Sequence, residues 1–158
     1  MGEIDDLRQR VEAARRAYAA LPREGWGEPG PLDERTGERW DRGNVLGHVA
    51  EVLPFWTGQV RAVLNGAEAI GRDEVGNAQR RMGIDSGREA GEEGLLERID
   101  AGMEGLLALL AEIRDADLDR PVVFRTSAGS RTSDLRATIT QVLIDHVEEH
   151  LSQVRQLD

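Results

Sequence analysis

Hydrophobic residues recur at alternating three- and four-residue steps in four stretches of this 158-residue chain, the spacing that places them on one face of a helix. The first stretch, about 3–21, carries Ile4, Leu7, Val11, Ala14, Tyr18 and Leu21, and Pro22 closes it because proline cannot continue a helix. The second, about 42–65, carries Val45, Val49, Val52, Leu53, Trp56, Val60 and Val63, and Asn65-Gly66 ends it as a C-terminal cap would. Pro54 inside it predicts a kink or a displaced backbone bond. The third, about 91–115, carries Leu95, Ile99, Met103, Leu106, Leu110 and Ile113. The fourth, about 133–157, carries Leu135, Ile139, Val142, Leu143, Val147, Leu151 and Val154. Ser133 or Thr132 is its expected N-cap, with Asp134 near the positive end of the helix dipole.

Three connections join these stretches. Residues 22–41 are rich in glycine, proline and charge and hold Trp26 and Trp40. Residues 66–90 carry Arg72, Arg80, Arg81 and Arg88 and predict a short helix at about 73–82. Residues 116–132 hold the strand-like run Pro121-Val122-Val123-Phe124 and then Ser127-Ala128-Gly129-Ser130, a small hairpin or an extended loop. The pattern predicts one all-α domain over residues 1–158, a four-helix bundle with long connections and a small hairpin before the last helix.

Composition narrows the chemistry. No apolar run approaches the roughly 20 residues of a membrane span, and the N-terminus lacks a signal-peptide pattern, so a cytoplasmic location is expected. The formal net charge of −10 predicts that neither a nucleic-acid backbone nor an anionic membrane surface is a partner. Cysteine is absent, which excludes disulfides, thiolate zinc sites and a protein thiol nucleophile. Any sulfur in the chemistry must then come from a small molecule. All 20 basic residues are arginine, so no lysine can form a Schiff base.

The three histidines are His48 in the second stretch and His146 and His150 in the fourth. His146 and His150 stand four residues apart, one above the other on a helix, and they replace apolar residues along the stripe 135, 139, 142, 146, 150, 154. A buried imidazole costs free energy unless its nitrogens are bonded, and a metal ion shared with His48 would satisfy both. The bland alternative pairs each ring with a nearby carboxylate, Glu51, Asp145, Glu148 or Glu149. His146-Val147-Glu148-Glu149-His150 also fits H-x-x-E-H, the inverted zinc-peptidase motif, with Glu149 as general base, but such enzymes need a larger fold and another ligand downstream. The loop arginines, Arg80 and Arg81 among them, can hold carboxylates of a small anionic ligand. Trp26, Trp40, Phe55 and Trp56 are candidates to line a pocket.

Three segments, in this order and separation, resemble the DinB-like superfamily, within it the actinobacterial branch that includes mycothiol-dependent maleylpyruvate isomerases. They are Trp40 with Asn44-Val45-Leu46-Gly47-His48-Val49-Ala50; Arg72-Asp73-Glu74-Val75-Gly76-Asn77-Ala78; and Asp145-His146-Val147-Glu148-Glu149-His150-Leu151-Ser152-Gln153. The resemblance implies a four-helix bundle whose divalent metal is held by His48, His146 and His150, zinc first, nickel or iron as alternatives. It implies a mycothiol-like thiol as cosubstrate and an electrophile as second substrate, in a transferase or isomerase reaction. In the isomerase branch the first ligand on the last helix is acidic; here it is His146, which favours the broader three-histidine pattern. Glu51 and Glu149 are the candidates for orienting a metal ligand or for proton transfer, and Asn77, Arg80 and Arg81 for contacts to the cosubstrate. Gln153, one turn past His150, is expected to orient a ligand. The alternative is a non-catalytic metal- or small-molecule-binding stress-response bundle. Pairing of two copies through a helix face is expected.

Overall fold

In the computed structural model of this chain the described residues are 2–23, 34, 40–126 and 128–157, without the side chains of 74 and 86–88. Trp26, Ser127 and the side chain of Arg88 therefore lie outside the described part. The fold is mainly helical with a small sheet. In order come α1 (Glu3–Ala19), α2 (Arg42–Leu64), β1 (Ala69–Gly71), α3 (Glu74–Ser86), α4 (Gly91–Glu112), β2 (Pro121–Thr126), β3 (Gly129–Asp134), α5 (Leu135–Ala137), a π-helical turn (Thr138–Ile144) and α6 (Asp145–Gln156). Single turns of 3₁₀ helix precede and follow α4. No helix among the described residues is long and apolar enough to cross a membrane.

One core joins the long helices: Val11 and Tyr18 of α1, Val49, Leu53 and Val60 of α2, Ile99, Met103 and Leu110 of α4, Leu151 and Val154 of α6. α1 begins with Glu3, Asp5 and Asp6 in its first turn, where negative charge suits the dipole. It ends at Ala19, before Pro22 is reached. α2 starts on a reciprocal cap: Asp41 accepts from the Asn44 amide at 2.9 Å, and the Asn44 side chain accepts from the Asp41 amide at 3.1 Å. It stops at Asn65-Gly66, where Gly66 has φ 110° and the amides of Gly66 and Ala67 reach back to Val63 and Ala62. Pro54 sits inside a helix that remains continuous from Arg42 to Leu64.

The hairpin expected before the last helix is β2 and β3, antiparallel from Pro121 opposite Asp134 to Thr126 opposite Gly129. Two features were not in the sequence pattern. β1 adds a third strand, parallel to β2 with Gly71 beside Arg125. Gly71 has φ 147°, and a Cβ there would lie 1.9 Å from the Arg125 carbonyl oxygen, so only glycine permits this approach. The last helix is not regular. Its N-cap is Asp134, accepting from the Ala137 amide at 2.8 Å, while Thr132 and Ser133 belong to β3. The π turn then inserts an offset, after which the core stripe runs Ile144, Val147, Leu151, Val154. His146 and His150 consequently flank that stripe instead of forming its middle.

Candidate metal centre

α2 and α6 bring the three imidazoles to one point. A potential ligand nitrogen from each of His48, His146 and His150 lies within 4.8 Å of the other two. Ring centroids are 4.9 Å apart for His48–His150, 5.1 Å for His48–His146 and 4.5 Å for His146–His150. Neighbours fix the rings. Nδ1 of His150 donates to Oε1 of Gln153 at 2.8 Å, since an amide oxygen can only accept. His150 Nε2 is thereby left as a lone pair, and it is buried without a protein partner. His146 is hydrogen-bonded to the main chain at Val142, one turn back. Tyr18 donates to the Val147 carbonyl at 2.7 Å, and Arg10 holds Asp145 at 2.7 Å and also Glu148, so α6 is pinned on both sides of His146. Trp40 closes the cluster, edge-on to His48 at 5.5 Å and stacked on His150 at 6.2 Å.

This donor set fits a divalent cation. The Nε2 atoms of His48 and His146 are 3.3 Å apart, the edge of a tetrahedron whose Zn–N bonds are about 2.0–2.1 Å. Burial keeps the rings neutral, the form that binds metal. The His48 pKa is pushed down to about 2 by burial and the two neighbouring imidazoles. That of His150 is pushed down to about 4 by burial and His146. Burial also lowers His146, against a smaller opposing pull from Glu149.

The cluster lies at the wall of a cleft of about 400 Å³ lined also by Val52, Trp56, Asn77, Arg80, Phe124, Arg125 and Val142. Arg80 and Asn77 project into it from α3, which is held to α2 by the Asn44 side-chain Nδ2 donating to the Ile84 carbonyl at 2.7 Å. Arg81 is exposed and does not line the cleft. Glu51 is clamped by Arg72 through two bonds of 2.6 and 2.8 Å. Arg72 in turn lies over the Phe55 ring at 4.0 Å. Glu149 is exposed on α6 and acts on His146 only through its charge. Trp56 faces the cleft and stacks on Phe124 at 5.4 Å. Phe124 and Arg125, on β2, were missed as site residues. The strand-like run was visible, but nothing in it shows which face meets a helix-borne site.

The model of the mycothiol maleylpyruvate isomerase N-terminal domain matches residues 7–147, and the chain belongs to that family. No curated protein matches its sequence. Among solved structures it is similar to the colibactin self-resistance protein ClbS in complex with a dsDNA: TM-score 0.73, 12% identity, covering 99% of this chain and 96% of that one. That finding overturns the exclusion of nucleic acid as a partner. A formal charge of −10 is a sum over the molecule, whereas contact with phosphate depends on local charge, so the sum does not exclude such a partner.

Proposed function

From membership in that family and from the cluster, we propose a DinB-like four-helix bundle whose His48, His146 and His150 hold one divalent metal, zinc before nickel or iron. We propose that it catalyses a transfer or isomerisation that uses a mycothiol-like thiol as cosubstrate. The observation that carries this reading is the convergence of three imidazoles held neutral by burial, with the buried His150 Nε2 left without a protein partner. A divalent ion held there supplies open coordination positions and a positive centre that favours the thiolate form of sulfur. The chain has no cysteine of its own to compete for that position.

The remaining residues divide the work. Arg80 has no carboxylate partner among the described residues and faces the cleft, where it can pair with an anionic group of the substrate. Trp56, Phe124, Val52 and Val142 keep the reacting end of the cleft dry. Gln153 fixes the His150 tautomer. Glu149, the carboxylate whose field reaches His146, is the candidate for proton transfer. Glu51 is already committed to Arg72 and acts by holding it.

The test is metal content followed by turnover. Purified protein should carry about one divalent ion per chain and should conjugate mycothiol to a model electrophile in a chelator-sensitive way. Absence of zinc or nickel uptake would overturn the metal reading. Uptake without turnover of any thiol–electrophile pair would select the non-catalytic binding protein.

A further inference from the structure

A cavity of about 540 Å³, separate from the histidine cleft, lies in the groove between α2 and α4. Its α2 wall is Ala50, Pro54 and Gly58, on the far side of that helix from His48 by the 3.6-residue turn. Its α4 wall is Ala101, Gly102 and Gly105. Leu53 packs on Gly102 and Arg61 pairs with Glu112, so the two helices run in the same direction. That packing needs glycine at 102, where a Cβ would lie 2.8 Å from Cβ of Leu53. Gly58 and Gly105 differ: a Cβ on either would meet nothing within 4 Å. Glycine inside a helix is costlier than alanine, and the packing of this chain calls for neither one. Both leave bare backbone toward the groove, where a ligand can approach closely.

The groove also holds polar groups without partners. Thr57 lines it and is only 9% exposed, and its hydroxyl has no hydrogen-bond partner among the described residues. A buried hydroxyl left unmatched is destabilising until something completes it. Pro54 has no N–H, so the Ala50 carbonyl lacks its usual donor four residues on. Two charged residues line the groove, and both are arginine in a chain with 30 acidic residues. Arg61 is offset by Glu112 at 2.9 Å. Arg98, at the Ala50 end, makes no hydrogen bond or ion pair among the described residues. The matching occupant is an anion with a hydrogen-bonding group set back from its charge. A second copy of the chain would instead bring a net charge of −10. The walls carry nothing bulkier than a methyl group or the proline ring, so the space suits a flat ring better than a branched chain.

We propose that the α2–α4 groove is a second ligand site, distinct from the metal cleft, that takes a planar aromatic monoanion. Its carboxylate pairs with Arg98, its ring lies against Gly58 and Gly105, and a ring hydroxyl bonds to the Thr57 hydroxyl. The site stands or falls apart from the thiol-dependent reading.

The full chain is titrated with a hydroxynaphthoate whose two polar groups stand at opposite ends of the ring system, and followed by amide chemical shifts. Naphthoate, which lacks the hydroxyl, and naphthol, which lacks the carboxylate, are run beside it. Shifts should fall on amides of residues 50–61 and 98–105. Affinity should drop at least fivefold for naphthol, and for hydroxynaphthoate in Arg98→Gln. Thr57→Val should weaken hydroxynaphthoate at least fivefold and leave naphthoate unchanged, a split that a merely structural role would not produce. Gly105→Leu fills the groove and should lose both ligands. Urea midpoints of Thr57→Val and Gly105→Leu should not fall below wild type, since each removes a feature unfavourable to the free chain. Zinc uptake should be unchanged by saturating ligand. No binding, shifts confined to amides near Asn77 and Arg80, full affinity in Gly105→Leu, or octanoate binding more tightly than naphthoate would overturn the assignment. Equal loss of both naphthoates in Thr57→Val would remove the hydroxyl contact, and zinc uptake blocked by the ligand would place it at the histidines instead.

Discussion

At the scale of single residues, the cluster is governed by which nitrogen keeps its proton. Gln153 decides this for His150: its oxygen takes the Nδ1 proton and leaves Nε2 as a lone pair. Removing such a partner of a metal-bound histidine typically costs 10–100-fold in affinity. Gln153→Ala should therefore weaken zinc binding by about tenfold or more, measured by competition with a chromogenic chelator, and His150→Ala should abolish it. An affinity unchanged in Gln153→Ala would show that the bond does not orient the ring. The same burial sets a pH dependence for the metal-free protein. His48 and His150 titrate at about 2 and about 4 in the fold, below the ordinary histidine value of about 6.5. As pH falls below that ordinary value the unfolded chain takes up protons that the folded chain refuses, so stability is lost with acid. Each fully displaced group contributes at most about 1.4 kcal/mol per pH unit. Urea midpoints should drop from pH 7 to pH 5, and drop less in His48→Leu, which cannot titrate. Equal drops in the two proteins would mean that His48 is not held neutral.

At the scale of elements, the site depends on how closely α3 approaches α2. A Cβ on Gly83 would lie 2.8 Å from Cβ of Glu51 and 3.2 Å from the Gly47 carbonyl oxygen. Glycine there lets the helices touch, and α3 carries Asn77 and Arg80 into the cleft. Gly83→Ala should cost about 1–3 kcal/mol by overpacking, read from urea midpoints. A neutral or stabilising effect would show that the interface yields. This level also shows what the chain's pattern reveals. α1, α2 and α4 follow directly from their three- and four-residue periodicity, because burial of one face dictates that spacing. The histidine trio was equally visible, since His48, His146 and His150 interrupt or border apolar stripes. The π turn was not, because the apolar residues at 139, 142, 143 and 144 satisfy an α stripe as readily as an offset one. β1 was hidden for another reason. Three residues, Ala69-Ile70-Gly71, are too few for a period to emerge, and their strand exists only through its pairing with β2. Arg125 entered the site through that pairing, which no local pattern encodes.

At the scale of the whole molecule, ligation and folding are one equilibrium. The trio joins α2 to α6, elements about a hundred positions apart along the chain, and the unfolded chain cannot present the three rings together. An ion that binds only the folded state stabilises it by about 2.7 kcal/mol at a free concentration one hundred times its Kd. For a domain of this length each kcal/mol moves the Tm by about 2–4 °C, so saturating zinc should raise it by about 5–10 °C. His146→Ala should lose that rise while retaining a cooperative transition, because the hydrophobic core formed by α1, α2, α4 and α6 does not include the ring. Calorimetry with and without zinc on both proteins measures this. A rise that persists undiminished in His146→Ala would place the ion elsewhere, among the many carboxylates of a chain with 30 acidic residues, and would remove the ground for ligation by the trio.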